Sequence, residues 1–497
     1  MPEIKYVCLS DMHLGDRCSL LTNMAKDFNP DLTKPSPVLK NLAECLRYLI
    51  EESKESEPRS HLEEKNTWPK LILNGDILDL ALAMDNQSAT AFLRFIELVM
   101  PKDKEFLSEI FYIPGNHDHH LWESARESKY ADYILKQKEP LPLPWHSTRM
   151  FVVKKPQEIP PTSPLLESLF KLHNLHKGPT VVYPNFGLLN ENKRKCVVFH
   201  HGHFVEKLYH FTSTLRDLIF PLRKKPVHTW NLEEENFAWI DFIWSTLGRS
   251  GSAGKDFGLV YHVVKDYRRI KKLLFGCLDR LRGYFPSPWW IIARPLLRWV
   301  CPYLLEKLIH PEKLLAPERS RGATHSGDAL SEDGKQGLKW YMEGPLKEQL
   351  LIELKEAGIP SDVTFVFGHT HKPFEAEIVS DEYPPGVKVY NNGGWVVDTV
   401  KSEPLHGGTI ILIDQNLDVC SVRMYNEEPR SVYVKEARPP GGQFGPFAQK
   451  ISGLIGKQGS PFDKFLQEVK PEIRLRTDYL KQRIDSAEGA NGWLRYR

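Results

Sequence analysis

The chain has 497 residues, 41% hydrophobic and 26% charged, an ordinary globular composition with length for a large core. Its net charge of +2 neither points to nor excludes a polyanionic partner. Its seven cysteines are odd in number and lack zinc-type spacing, which fits a reducing compartment and a cytoplasmic protein. No basic start followed by an apolar run marks a signal peptide, and no run of about 18 apolar residues free of charge and proline marks a membrane span.

Residues 4–9 read as a short strand, followed by Ser10-Asp11-Met12-His13-Leu14-Gly15-Asp16. The strand period of two puts Asp11 and His13 on one side, where both can reach one ion. Ser36-Pro37 starts a helix that runs to about residue 52, with Leu39, Leu42, Leu46 and Leu49 on one face. Residues 53–68 are charged and read as a loop. The next strand, 70–74, leads into Gly75-Asp76-Ile77-Leu78-Asp79, and a helix over about 89–99 precedes the strand 110–113. Pro114 and Gly115 stop that strand, and Asn116, His117 and Asp118 follow at once. The first 120 residues thus form a βαβαβ unit with carboxylate, imidazole and carboxamide groups at the carboxyl edge of the sheet.

Residues 140–193 are Pro-rich and carry no clear pattern. A strand at 196–199 enters His200-His201-Gly202-His203, and residues 204 to about 335 break the pattern. A helix over 346–357 stops at Gly358, and a strand at 363–367 enters Gly368-His369-Thr370-His371. A strand at 387–390 with the turn Asn391-Asn392-Gly393-Gly394-Trp395, a closing hairpin at 409–413 and 419–424, and a charged helix over 462–484 complete the reading.

Five strand ends therefore supply Asp11 with His13, Asp76, Asn116 with His117, His201, and His369 with His371. These oxygen and imidazole donors suffice for two divalent ions sharing one carboxylate, with Mn first and Fe, Zn or Co as alternatives. No cysteine stands in a ligand position, which argues against a structural thiolate zinc site. Taken singly, each motif also reads as a polar turn, a helix cap or a pair of satisfied core histidines.

As an ordered set, Asp11-x-His13, Gly75-Asp76-x-x-Asp79, Gly115-Asn116-His117-Asp118, His201-Gly202-His203 and Gly368-His369-x-His371 resemble the signature of the calcineurin-like metallophosphoesterase superfamily. The resemblance implies an α/β fold, a two-sheet sandwich flanked by helices. It implies that Asp11, His13 and His371 hold one metal, that Asp76 bridges, and that Asn116, His201 and His369 hold the other. His200 would point the other way. A hydroxide between the ions would attack phosphorus in line. His117 would contact phosphate or protonate the leaving group, with Asp118 orienting its ring. His203 and Arg17 are candidate substrate contacts, and Asp79 reads as a supporting residue or a cap.

The protein phosphatases of the superfamily carry Arg after the second Asp and Glu after Gly-Asn-His. Leu80 and Asp118 stand here instead, which disfavours a phosphoprotein substrate. Repair exonucleases share the Asp-x-His-Leu-Gly start and Gly-Asn-His-Asp, so a nuclease is the alternative. Lipid-A-pathway pyrophosphatases share the start, but usually carry Arg at the position of His117.

Residues 204–345 read as an inserted, basic and aromatic helical cap between two parts of the catalytic domain, 1–203 and 346–426, with a C-terminal extension over 427–497. Residues 204–310 hold 17 Lys/Arg and 10 Asp/Glu, a net +7 against +2 for the whole chain. The run 289–305, with Trp289, Trp290 and Trp299, suits a membrane interface, a buried lid or a nucleic-acid groove. The expected enzyme is a dinuclear phosphoesterase acting on a phosphate mono- or diester or a pyrophosphate, with a small or lipid-like substrate. A peripheral site at the inner face of the membrane fits that reading. A third reading is a non-catalytic metal-binding scaffold, against which the complete ligand set argues.

Overall fold

The computed structural model describes residues 2–54, 68–102, 104–136, 146–152, 161–175, 178–220, 228–249, 318, 329–428, 431–438 and 441–490. The basic helical face expected around 267–282 and the aromatic run 289–305 lie outside the described residues.

Short runs of β-branched and aromatic residues form two mixed sheets. In the first, β1 (Ile4–Leu9), β2 (Lys70–Asn74), β3 (Ile110–Ile113) and β4 (Thr180–Val181) run parallel. On the other flank of β1 lie the antiparallel strands β10 (Gly407–Asp414), β11 (Val419–Asn426) and β12 (Tyr433–Lys435). The second sheet has the order β5 (Asn185–Leu189), β6 (Lys195–His200), β7 (Asp362–Phe367), β9 (Val387–Asn391), β8 (Phe374–Ile378). β6 and β7 pair in parallel although more than 150 residues separate them, so the chain leaves the sheet after His203 and returns to the neighbouring position.

Strand alternation builds the layers. Cys8, Ile72, Phe111, Ile113, Val197, Phe199 and Val366 meet between the sheets. Their neighbours Val7, Leu9, Leu71, Leu73 and Tyr112 face helices on the first sheet's outer side. Cys196, Val198, Phe365 and Phe367 face outward from the second sheet. The helix Pro37–Ser53 forms as its sequence predicts: the Ser36 hydroxyl accepts from Leu39 N at 3.0 Å, and Leu39, Leu42, Leu46 and Leu49 are buried.

The described part of the insert covers the second sheet. Phe204, Val205, Leu208, Leu232, Ile240, Leu338 and Tyr341 pack with Phe365 and Phe367 in one apolar cluster. The stretch after residue 427 is likewise part of the body. β12 joins the first sheet, and the helices Pro446–Ile455 and Phe462–Ala490 supply Phe447, Ile451, Phe465 and Val469 to the core around Leu42 and Leu46. No described helix is long and apolar enough to cross a membrane.

Candidate metal centre

The carboxyl ends of β1, β2, β3, β6 and β7 converge. At three of these ends the chain turns sharply, and the turning residues are the polar ones. Asp11, His13, Asp76, His369 and His371 all adopt left-handed backbone, with φ of 50°, 46°, 52°, 68° and 55°. Such conformations cost a non-glycine residue of order 1–3 kcal/mol each and collect at functional sites. Here they are held by surrounding hydrogen bonds: Asp11 N to Gly75 O at 3.0 Å, His13 N to Asp76 O at 2.9 Å, and His369 N to both oxygens of Asp11 at 2.9 and 3.0 Å.

Two buried clusters result. Asp11, His13 and His371 place their ligand atoms together, and so do Asp76, His201 and His369. In the first, His13 Nε2 lies 3.2 Å from His371 Nε2, which is 3.4 Å from Asp11 Oδ1. In the second, His201 Nε2 lies 3.1 Å from Asn116 Oδ1 and 3.2 Å from Asp76 Oδ2. Asp76 Oδ2 is also 3.8 Å from His13 Nε2, so this one oxygen faces both clusters. Asp76 Oδ1 is occupied by the backbone N–H of His117 at 2.7 Å, which leaves Oδ2 to the clusters.

The donor set fits cations. His13 Nδ1 is 2.8 Å from Asp79 Oδ2, His371 Nδ1 is 2.5 Å from Asp398 Oδ2, and His201 Nδ1 is 3.1 Å from Asn74 O. Each outer nitrogen donates its proton to an oxygen, so each Nε2 turns a lone pair inward, towards other lone pairs. That arrangement is repulsive until a positive charge sits among them. The surrounding carboxylates favour positive charge here, carried by protons on the rings when no ion is bound. Burial works to lower His13 and His201, yet Asp79 beside His13 and Asp76 beside His201 push each up to about 9. Burial works to raise Asp76, but the facing charges of His201 and His117 hold it well below the usual carboxylate range.

His117 lies beside the first cluster, its ring 4.7 Å from that of His13 and edge-on to it. Its Nδ1 is 3.2 Å from Asp79 Oδ2, the oxygen that also takes His13. This corrects the role expected for Asp118. Its carboxylate accepts from Tyr112 OH at 2.5 Å, Gly115 N at 2.6 Å, Ile77 N at 2.8 Å and Asp76 N at 3.3 Å. With these donors around it, Asp118 ties the β2 turn to the β3 turn and fixes the backbone of Asp76, while Asp79 orients His117.

His200 ends β6 with its ring turned to the outer face, 4.4 Å from the ring of Tyr341, and Nδ1 accepts from Gly202 N at 2.8 Å. His203 lies one ring away from His201, at 5.7 Å, with Nε2 3.2 Å from Tyr183 OH. Tyr183 OH donates to Glu233 Oε2 at 2.9 Å, and Glu233 Oε1 is 2.7 Å from His119 Nε2. Arg17 is half-buried with its guanidinium carbon 5.8 Å from the ring centre of Tyr479 on the C-terminal helix, a partner that gives it a structural place. Asp398, Glu206, Glu233 and Tyr183 escape the sequence reading, since each stands in a loop, an irregular stretch or a short element without a motif around it. The apolar-then-polar punctuation that marks the other residues is missing there.

Paired buried clusters of imidazole and carboxylate thus lie at the edge of a two-sheet α/β sandwich, an arrangement that can hold divalent ions. Residues 4–240 match the family model described as calcineurin-like phosphoesterase. Residues 4–240 are thus similar to that family's domain. No curated protein matches the chain in sequence. Among solved structures it is similar to the crystal structure of a dimetal phosphatase from Danio rerio, at 11% identity and a TM-score of 0.28, over 85% of this chain and 95% of that one.

Proposed function

We propose that the chain hydrolyses a phosphate mono- or diester or a pyrophosphate with two divalent ions, one held by Asp11, His13 and His371 and the other by Asn116, His201 and His369, with Asp76 shared. The observation that carries this reading is the position of Asp76 Oδ2, 3.2 Å from His201 Nε2 and 3.8 Å from His13 Nε2. When bound, the ions supply Lewis acidity: they make water nucleophilic near neutral pH and offset charge on the phosphoryl oxygens. Mn fits the mixed oxygen and imidazole donors best, with Fe, Zn or Co as alternatives. The protein's residues do the rest. Asp79 holds His13 and His117 by their Nδ1 atoms, which leaves His117 Nε2 to meet a phosphate oxygen or protonate the leaving group. Asp118 and Tyr112 keep the Asp76 turn in place.

The substrate we favour has an apolar or lipid-like portion. Phe211, Leu215, Ile219 and Phe220 are exposed on the helix after His203 and its end, and Phe242 is exposed nearby in sequence. They extend the basic and aromatic character of the 204–310 sequence, a combination that suits a membrane interface. Five described cysteines are free and buried, which supports a reducing compartment such as the cytoplasm.

The test is hydrolysis by the Mn-loaded protein of aryl mono- and diesters, nucleotide sugars and single-stranded DNA, with and without anionic vesicles. Chelator-sensitive cleavage of the small esters or the pyrophosphate bond supports the reading, and vesicle co-sedimentation supports its lipid-facing part. Preferential cutting of DNA, with vesicles ignored at low salt, replaces it by the nuclease. Failure to cleave any phosphoester contradicts it.

A further inference from the structure

Three of the four cluster histidines have an outer nitrogen tied to a residue of the catalytic sheets or their edge loops: His13 to Asp79, His201 to Asn74 and His371 to Asp398. The fourth is served from elsewhere. Glu206 Oε1 lies 2.8 Å from His369 Nε2. Glu206 stands between two short 3-10 turns, His203–Val205 and Lys207–His210, in the stretch where the chain leaves the second sheet. Its other oxygen, Oε2, accepts from Glu318 N at 3.2 Å.

Glu318 comes from much further along the insert and is itself buried. Its carboxylate is closed by Ser331 N at 2.7 Å and Ser331 Oγ at 2.6 Å, and Lys372 Nζ lies 3.5 Å away. Lys372 directly follows His371. The contacts therefore form a ring that starts at His369, passes through Glu206 and Glu318, and returns to the same loop at Lys372. The edge of Tyr209, 5.1 Å between ring centres, closes the remaining side of His369.

We propose that Glu206 is the positioning residue of the second metal cluster, and that through it the insert holds His369 in the orientation that binds the ion. The inference rests on the two-metal reading. A carboxylate this close to Nε2 favours the proton on that nitrogen, which leaves the Nδ1 lone pair of His369 free for a metal, and raises the ligand's basicity. A neutral acceptor does both less firmly. Glu206 also brings negative charge next to a cluster whose other carboxylate, Asp76, is shared with the first ion. The second ion thus depends on the insert for its binding strength, and the first ion depends on Asp79 and Asp398.

The experiment is a Mn²⁺ titration of the full-length metal-free protein against a competing chelator, with wild type, Glu206→Ala and Glu206→Gln, read as the number of ions bound and the affinity of each. Glu206→Ala is expected to weaken one ion about 10–100-fold and leave the other within error. Glu206→Gln, whose carbonyl oxygen still accepts the Nε2 proton, is expected to lose less, and it provides the reading if the alanine variant does not fold. Two ions bound as tightly as in wild type by both variants would overturn the inference. So would an equal loss at both sites accompanied by a lower melting temperature, which marks a merely structural residue. A wild-type chain that takes up only one ion sinks the two-metal reading itself, and this inference with it.

Discussion

Asp79→Asn separates an orienting carboxylate from one that only caps the turn at Leu82. The substitution keeps volume and shape, so it opens no cavity. Asp79 Oδ2 takes His13 Nδ1 at 2.8 Å and His117 Nδ1 at 3.2 Å, while Oδ1 takes Leu82 N at 2.6 Å. All three partners are donors, and an asparagine offers one acceptor oxygen and one amide that is itself a donor. If the amide faces the histidines, both must move their protons to Nε2, which blocks the His13 nitrogen that would meet the first ion and takes the carboxylate away from behind His117. If it faces Leu82, a backbone N–H is left against another donor, and the histidines share a neutral oxygen. A hydrogen bond to a charged group contributes ~1.5–3 kcal/mol, and ~1.4 kcal/mol is a factor of ten in rate. One such bond is therefore about 10–150-fold, and two that share an oxygen are less than additive. We expect kcat/KM for a soluble aryl phosphate ester to fall ~10²–10³-fold at saturating Mn²⁺, with the ion held by His13 weakened about 10–100-fold. An asparagine variant with turnover within about threefold of wild type and unchanged metal binding would refute the orienting role, leaving Asp79 as a cap alone.

His117→Ala should spare both metals, since its Nδ1 is engaged by Asp79, and should reduce turnover ~10²–10⁴-fold; the deficit should shrink for esters with very good leaving groups, and loss of a metal would make His117 a ligand. Gly368→Ala should cost the first ion, because a Cβ there would overlap the Asp11 carboxylate and the Ser10 hydroxyl, and normal metal content in that variant would show that the turn can yield. His119 faces Glu233 and Asp241 of the insert, Glu123 of the helix that follows it and the ring of Tyr183; burial works against its charge, but Glu233 and Asp241 push it up to about 10. Because its folded pKa is above the unfolded value of about 6.5, this contribution to stability is full below that pH and is lost as pH rises through about 10. The melting-temperature gap between wild type and His119→Gln should accordingly narrow from pH 6.5 to pH 10, and a gap that stays constant would contradict a charged His119.

Much of the centre is legible in the sequence because each proposed ligand stands one to four residues beyond a short apolar strand. β2 and β3 run over 70–74 and 110–113 as read, and the helix Pro37–Ser53 ends within a residue or so of its expected limit. The supporting groups are less legible. Asp118 looks like the partner of His117 because it is adjacent, yet neighbours in a tight turn point apart, and the carboxylate that reaches the ring is 38 residues away. Asp398 and Glu233 meet their histidines across loops and helices whose packing no local pattern encodes. β5 was hidden in an irregular stretch, since Asn185 and Gly187 interrupt its apolar run. The strand β12 and the helix Pro446–Ile455 have apolar residues that become meaningful only against the first sheet and the helix at 37–53.

The shared carboxylate is the point on which the account stands or falls, and elemental analysis of the Mn-reloaded protein addresses it directly. Wild type should carry two ions per chain, and Asp76→Asn should carry one or none and lose hydrolysis with it. An Asp76→Asn protein that keeps two ions per chain and near-normal turnover would contradict the account.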